Sequence, residues 1–189
     1  MAIGESVSKK QAKCHLRIKF LLLGILFLTV MPAAKSQNLE SIRKSYYNAT
    51  TDGKEAAKLY TILDRLNSSD AVMMAYYGSA QALKAKYSWN PYIKLSYLVE
   101  GQKTLKQAVI KSPDNLEIRF LRFCLEHYIP AFLGMSNNLE SDRRKIVQLI
   151  KRNQYGSIDE ALLKDLFSFL KRTNRCTPEE LRVLAKAGS

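Results

Sequence analysis

Apolar residues return at steps of three and four along most of residues 39–187, and strict alternation of apolar and polar positions is nowhere convincing. The first period belongs to helices and the second to half-buried strands. Leu39, Ile42, Tyr46 and Ala49 predict a first helix. After Asp52-Gly53 a second runs through Ala56, Leu59, Tyr60, Leu63 and Leu66, ending at the polar turn Asn67-Ser68-Ser69-Asp70. The third carries Val72, Tyr76, Ser79, Ala80, Leu83 and Tyr87 on one face, with Met73 and Tyr77 beside it. Asn90-Pro91 then supplies a cap and a first-turn proline for a fourth helix, which is expected to bury Leu95, Leu98, Leu105, Ala108 and Val109. Gly101 falls on that same face. A glycine inside a helix costs about 1 kcal/mol relative to alanine, so the expected reason for it is close approach of a neighbouring helix.

The stretch from Ser112 to Tyr128 is the most apolar of these segments. Ser112 is the expected cap and Pro113 the expected first helical residue. Leu116, Phe120, Phe123, Cys124 and Tyr128 form one apolar face, and Ile118, Leu121, Leu125 and Ile129 line the next. Only a narrow polar strip remains at Glu117, Arg119, Arg122 and Glu126. Such a helix must be covered on more than one side, which makes it the expected centre of the molecule. Pro130 ends it. Asn137 with Glu140 reads as a capping box opening a sixth helix through Leu139, Ile146, Val147, Leu149 and Ile150. Ser157 with Glu160 opens a seventh through Leu162, Leu166, Phe167 and Leu170, and Thr177-Pro178-Glu179-Glu180 opens a short last one containing Leu181 and Leu184. The fold class expected is all-α, a bundle of about seven to eight helices in antiparallel hairpins. No linker is long enough to divide residues 37–189 into two domains.

The amino terminus has a different pattern. A basic region from Lys9 to Lys19 precedes the apolar run Phe20–Val30 and the small-residue stretch Pro32-Ala33-Ala34-Lys35-Ser36. This is the three-part layout of a cleavable secretory signal over residues 1–36, with cleavage expected after Ser36 or, alternatively, after Ala34. A membrane-spanning helix needs about 20 apolar residues, so an uncleaved anchor is the lesser reading and no transmembrane helix is expected beyond the signal. The net charge of +13 changes accordingly. With the six bases and one acid of residues 1–36 removed, the remainder is basic but interspersed with acids, which suits either a mixed solvated surface or attraction to anionic partners. Eight Gly and five Pro are too few for a strand-and-turn protein. Export also bears on the cysteines: Cys14 leaves with the signal, and Cys124 and Cys176 are either one bridge or buried thiols.

Residues 55–115 resemble the tetratricopeptide-repeat family, in which paired antiparallel helices stack at a fixed period. Ala56, Tyr60, Leu63 and Ser68 fit its second helix, Met74 with Tyr77-Gly78 the next first helix, and Gly101, Leu105, Ala108 and Pro113 a further second helix. Between Gly78 and Gly101 the interval is nearly double that of the family. The resemblance implies stacked helical hairpins with a binding groove. The strings SWNPYIKLSY and LEIRFLRF also resemble a group of exported bacterial proteins with no assigned activity, which implies the periplasm or envelope of a Gram-negative bacterium.

Candidate chemistry is sparse. His127 is the sole histidine after the signal, which excludes paired-histidine metal sites within one subunit. Gly134-Met135-Ser136 lacks the second glycine of a nucleophile elbow, and phosphate-cradling glycine loops are absent. Cys124 and His127 stand three apart on a helix, the spacing at which imidazole can activate a thiol, but on an apolar face that disfavours a thiolate. The acid pairs Asp159-Glu160 and Glu179-Glu180 suit helix first turns. Tyr87, Trp89 and Tyr92, with Asn90 as a polar partner, bracket a loop; they either stack on a ligand or plug the end of the helix pair between Tyr87 and Tyr97. Arg143 and Arg144, with Lys145, Lys151 and Arg152, form a basic group that Lys171, Arg172 and Arg175 extend. It serves either the helix dipole or an anionic surface. Asn48-Ala49-Thr50 and Asn67-Ser68-Ser69 match glycosylation acceptors, relevant only in a eukaryote. The function expected is an exported binding or scaffold protein for a protein partner or envelope component, with no cofactor, no metal and no nucleic acid. The alternatives are an enzyme built on Cys124 and His127, and a structural envelope protein held by basic contacts.

Overall fold

The computed structural model describes the backbone of residues 31–188 and the side chains of residues 39–188; the expected signal segment up to Val30 lies outside them. Eight α-helices follow in order: α1 (Met31–Ala49), α2 (Gly53–Leu66), α3 (Ala71–Tyr87), α4 (Pro91–Lys111), α5 (Leu116–Tyr128), α6 (Leu139–Lys151), α7 (Glu160–Arg172) and α8 (Pro178–Ala187). A single turn of 3-10 helix, Ala131–Leu133, sits between α5 and α6. There is no strand among the described residues, so the all-α expectation holds. Nor is any described helix long and apolar enough to cross a membrane. The chain divides into two compact units, Met1–Arg43 and Lys44–Ser189. The described part of the first is the start of α1; the second holds the end of α1, α2–α8 and their core.

Local signals set most of the helix ends. Asp52, Asp70 and Asn90 each accept two backbone N–H groups at the start of α2, α3 and α4. Thr177 and Glu180 form the reciprocal capping box at α8. Three expected starts are corrected. Ser112 closes α4 instead of opening α5; Asn115, past Pro113, caps α5 through Ile118 N–H at 3.0 Å. Asp159, not Ser157, caps α7. The box expected from Asn137 and Glu140 does not form, because Glu140 turns to Arg143 and the start of α6 is held from another helix.

α3 and α4 make an antiparallel hairpin across the three-residue link 88–90. Ser69 faces Lys111, Gly78 faces Gly101, and Lys84 faces Tyr97 along it. A methyl group on Gly101 would lie 2.7 Å from the Gly78 carbonyl oxygen, and one on Gly78 would lie 2.9 Å from that of Gly101. Backbone thus meets backbone, which is the close approach anticipated for Gly101. Beyond that point the fit loosens. Leu95, expected inside, is exposed, and Leu98 is half-buried.

α5 is shared by two layers. It packs against α3 and α4 on one side and α6 on the other. Leu116, Phe120 and Phe123 join Ile146, Ile150, Leu166, Leu170 and Leu184 in one buried cluster. The polar strip of α5 is not left to solvent. Glu117, Arg122 and Glu126 are all buried. Tyr76 on α3 donates to Glu117 at 2.6 Å, and Arg122 grips Asp142 on α6 through Nε at 2.6 Å and Nη2 at 2.7 Å. Arg119 adds a third contact to the same carboxylate at 2.8 Å. Glu126 accepts the Asn138 backbone N–H at 2.7 Å and its side-chain amide at 2.8 Å, and this is what holds the start of α6.

Candidate functional site

The tip of the α3–α4 hairpin is built from caps at both ends of a short link. Ser88 closes α3 in an extended conformation, Asn90 accepts from Tyr92 and Ile93 N–H, and Pro91 occupies the first turn of α4. The Ser88 N–H reaches the Ala85 carbonyl, so the link is closed by backbone and cap contacts that do not involve the Trp89 ring. Trp89 is 100% exposed and Tyr92 is 84% exposed. Neither plugs the helix pair. Tyr87 does that instead: its hydroxyl donates to the Thr50 carbonyl at 2.9 Å and its ring lies against Gly53, where an added Cβ would come within 3.1 Å. Lys86 donates to the same carbonyl at 2.6 Å.

Beside the tip, the start of α2, the end of α3 and the first turns of α4 enclose an open groove of about 500 Å³. Tyr87, Ile93 and Tyr97 supply its apolar walls, and Ser88, Lys54 and Lys84 its polar edge. The ammonium of Lys84 lies 5.7 Å from the Tyr97 ring centre and 5.9 Å from that of Tyr60. Tyr60 in turn stacks on Tyr77 at 5.7 Å, and Tyr77 donates to Asp64 at 2.7 Å. Of the candidate residues Tyr87, Trp89, Asn90 and Tyr92, the first lines the groove, the next two form the link beside it and Tyr92 opens α4 next to Ile93. Lys54, Lys84 and Ile93 were not among the candidates. The helical steps from Lys84 to Tyr87 and from Ile93 to Tyr97 carry a signal for one shared face, but the contribution of α2 has none in the sequence.

The basic candidates separate. Arg144 is exposed. Arg143 is buried: it donates to the Arg175 carbonyl at 2.9 Å and pairs with Glu140 and Glu180. Its Nε is the one buried side-chain polar atom without a hydrogen-bond partner among the described residues. Arg143 therefore ties α6 to α8 instead of presenting charge to a partner. Lys145 is drawn to Asp114 at 2.5 Å.

Cys124 and Cys176 are both free. Burial pushes the Cys124 thiol well above the ordinary cysteine range, so at neutral pH it stays protonated and is a poor nucleophile. His127 accepts at Nδ1 from Arg175 Nε at 3.0 Å and stacks on Phe123. Burial, then the Arg175 charge, lower its pKa. No group of three or more His, Cys, Asp or Glu that could hold a metal ion occurs among the described residues. No family model matches the chain, and neither a curated protein nor a solved structure shows significant similarity to it.

Proposed function

We propose that this chain is an exported binding protein of the bacterial envelope that recognises a protein partner with the α3–α4 tip and the groove beside it. The observation that carries the reading is the exposure of Trp89 on the capped link and of Tyr92 in the first turn of α4. Tryptophan and tyrosine bring large contact area at little entropic cost and dominate recognition surfaces. Leu95 and Val99, at steps of three and four from Tyr92 on α4, are exposed as well, and Ile93 is exposed on the groove side. An apolar patch of this kind on an otherwise charged protein marks an interaction site. The signal-like amino terminus supports export, and the hairpin packed at Gly78 and Gly101 is in keeping with a repeat-like helical stack.

The test is cross-linking of the full chain in native envelope extract, compared with the Trp89→Ala/Tyr92→Ala variant. Both side chains are exposed, so the variant should keep its helical circular dichroism and melting temperature. Recovery of a partner with the parent chain and its loss with the variant is expected. Equal recovery from both would overturn the reading.

A further inference from the structure

We infer that the groove beside the tip takes an acidic protein segment bearing one aromatic or aliphatic anchor, an inference that rests on the proposed binding role of the tip. Its volume, about 500 Å³, lies within the range of sites that enclose small ligands and is enough for one or two large side chains. The walls offered to an anchor are Tyr87, Ile93 and Tyr97.

The edge is positive. Lys54 and Lys84 line it, and neither has a carboxylate partner among the described residues. Lys84 instead lies over the rings of Tyr60 and Tyr97. The single acid of the lining, Asp52, is already committed: its carboxylate accepts the Lys54 N–H at 2.7 Å and the Glu55 N–H at 3.4 Å. The amino-terminal end of α2 adds its own partial positive charge to the same edge. Lys94 follows Ile93 on α4 and is exposed. A segment with carboxylates on either side of an apolar residue would meet lysines at the edge and rings within.

A membrane surface shares part of this chemistry, since lysines with Trp and Tyr also suit an anionic bilayer. The concavity decides between them. A flat bilayer can receive Trp89 and Tyr92, but it leaves the groove unfilled.

Random peptides displayed on phage, selected on the full chain and counter-selected on the Trp89→Ala/Tyr92→Ala variant, test the inference. The expected enrichment is for peptides with Asp or Glu flanking an aromatic or aliphatic residue. Trp89 is the only tryptophan, so the synthetic peptide should shift its emission to the blue. Lys54→Glu combined with Lys84→Gln should weaken that peptide about ten-fold, since two charge contacts at the edge are lost. Lys84 packs on two rings, so Lys54→Glu alone is the safeguard: an acid is favourable in a helix first turn, and two-fold or greater weakening is expected from it. Enrichment of basic or uncharged peptides, affinity indifferent to both lysine variants, or a blue shift with phosphatidylglycerol vesicles and none with peptide would each overturn the inference. A partner cross-link that needs Trp89 but ignores Lys54 and Lys84 would sink the acidic segment while leaving the binding role of the tip intact.

Discussion

Asp142 has no exposure at all, yet it carries a charge toward the middle of the molecule. Arg122 contacts both of its oxygens and Arg119 one of them, so the carboxylate is paired in a geometry that suits guanidinium. Taking two ions out of water costs several kcal/mol each, and the pair contributes little net stability when compared with a well-packed apolar replacement. Removing one partner is another matter, because Arg122 is buried and would be left uncompensated. Asp142→Ala is therefore expected to lower unfolding free energy by about 3–5 kcal/mol in urea titration. A loss below about 1 kcal/mol would mean that Arg122 swings out to water. This pairing was hidden in the sequence. Arg119, Arg122 and Asp142 look like ordinary surface residues of two helices, and nothing local says that the two polar strips face each other.

At the scale of elements, the α3–α4 hairpin depends on two glycines meeting. Gly101→Ala would help the isolated helix by about 1 kcal/mol, since glycine loses more backbone freedom than alanine. In the hairpin the added carbon would meet the Gly78 oxygen at 2.7 Å and the Ala82 nitrogen at 3.2 Å, both backbone atoms that cannot turn away. Overpacking of this kind costs about 1–3 kcal/mol. Gly101→Ala should therefore destabilise by up to about 2 kcal/mol net, read as a lower melting temperature by circular dichroism. A stabilised variant would show that the helices separate easily. The same helix explains why its outer half was misjudged. Leu95 continues the apolar period of Gly101, Leu105 and Ala108, but α2 and α3 do not cover it.

Over the whole molecule, two neighbouring residues on α5 couple stability to pH with opposite signs. Burial and then the Arg175 charge lower the His127 pKa from its ordinary 6.5, so its contribution is present above that value and lost as pH falls through the folded one. Burial raises the Glu126 pKa from 4.5, against the opposing pull of Asn138 and Arg122, with Asp142 adding to the rise. Its contribution is present below 4.5 and lost as pH rises through the folded value. Measured as urea midpoints at several pH values between neutral and mildly acidic, His127→Gln should remove the loss on acidification. Glu126→Gln should steepen it. Parallel curves for the parent and both variants would show that neither group is perturbed. Glu126 also accepts from Asn138 at the far end of the connection that carries Phe132, so its titration bears on how firmly that connection is held.

Order along the chain was written locally. Caps at Asp52, Asn90 and Thr177, and apolar steps of three and four, determine eight helices because each depends on residues within one or two turns. Phe120 and Phe123 were recognisable as central for the same reason: a helix apolar on two faces has no other place to go. What the tertiary structure alone decided are matters of which helix meets which. The buried strip of α5, the enclosure of Arg143 by residues 32 and 37 positions away, and the groove that α2 completes all depend on contacts between distant segments. Trp89 shows the limit most plainly: its pattern suits burial and binding equally, and the ring is in water because no helix among the described residues covers it.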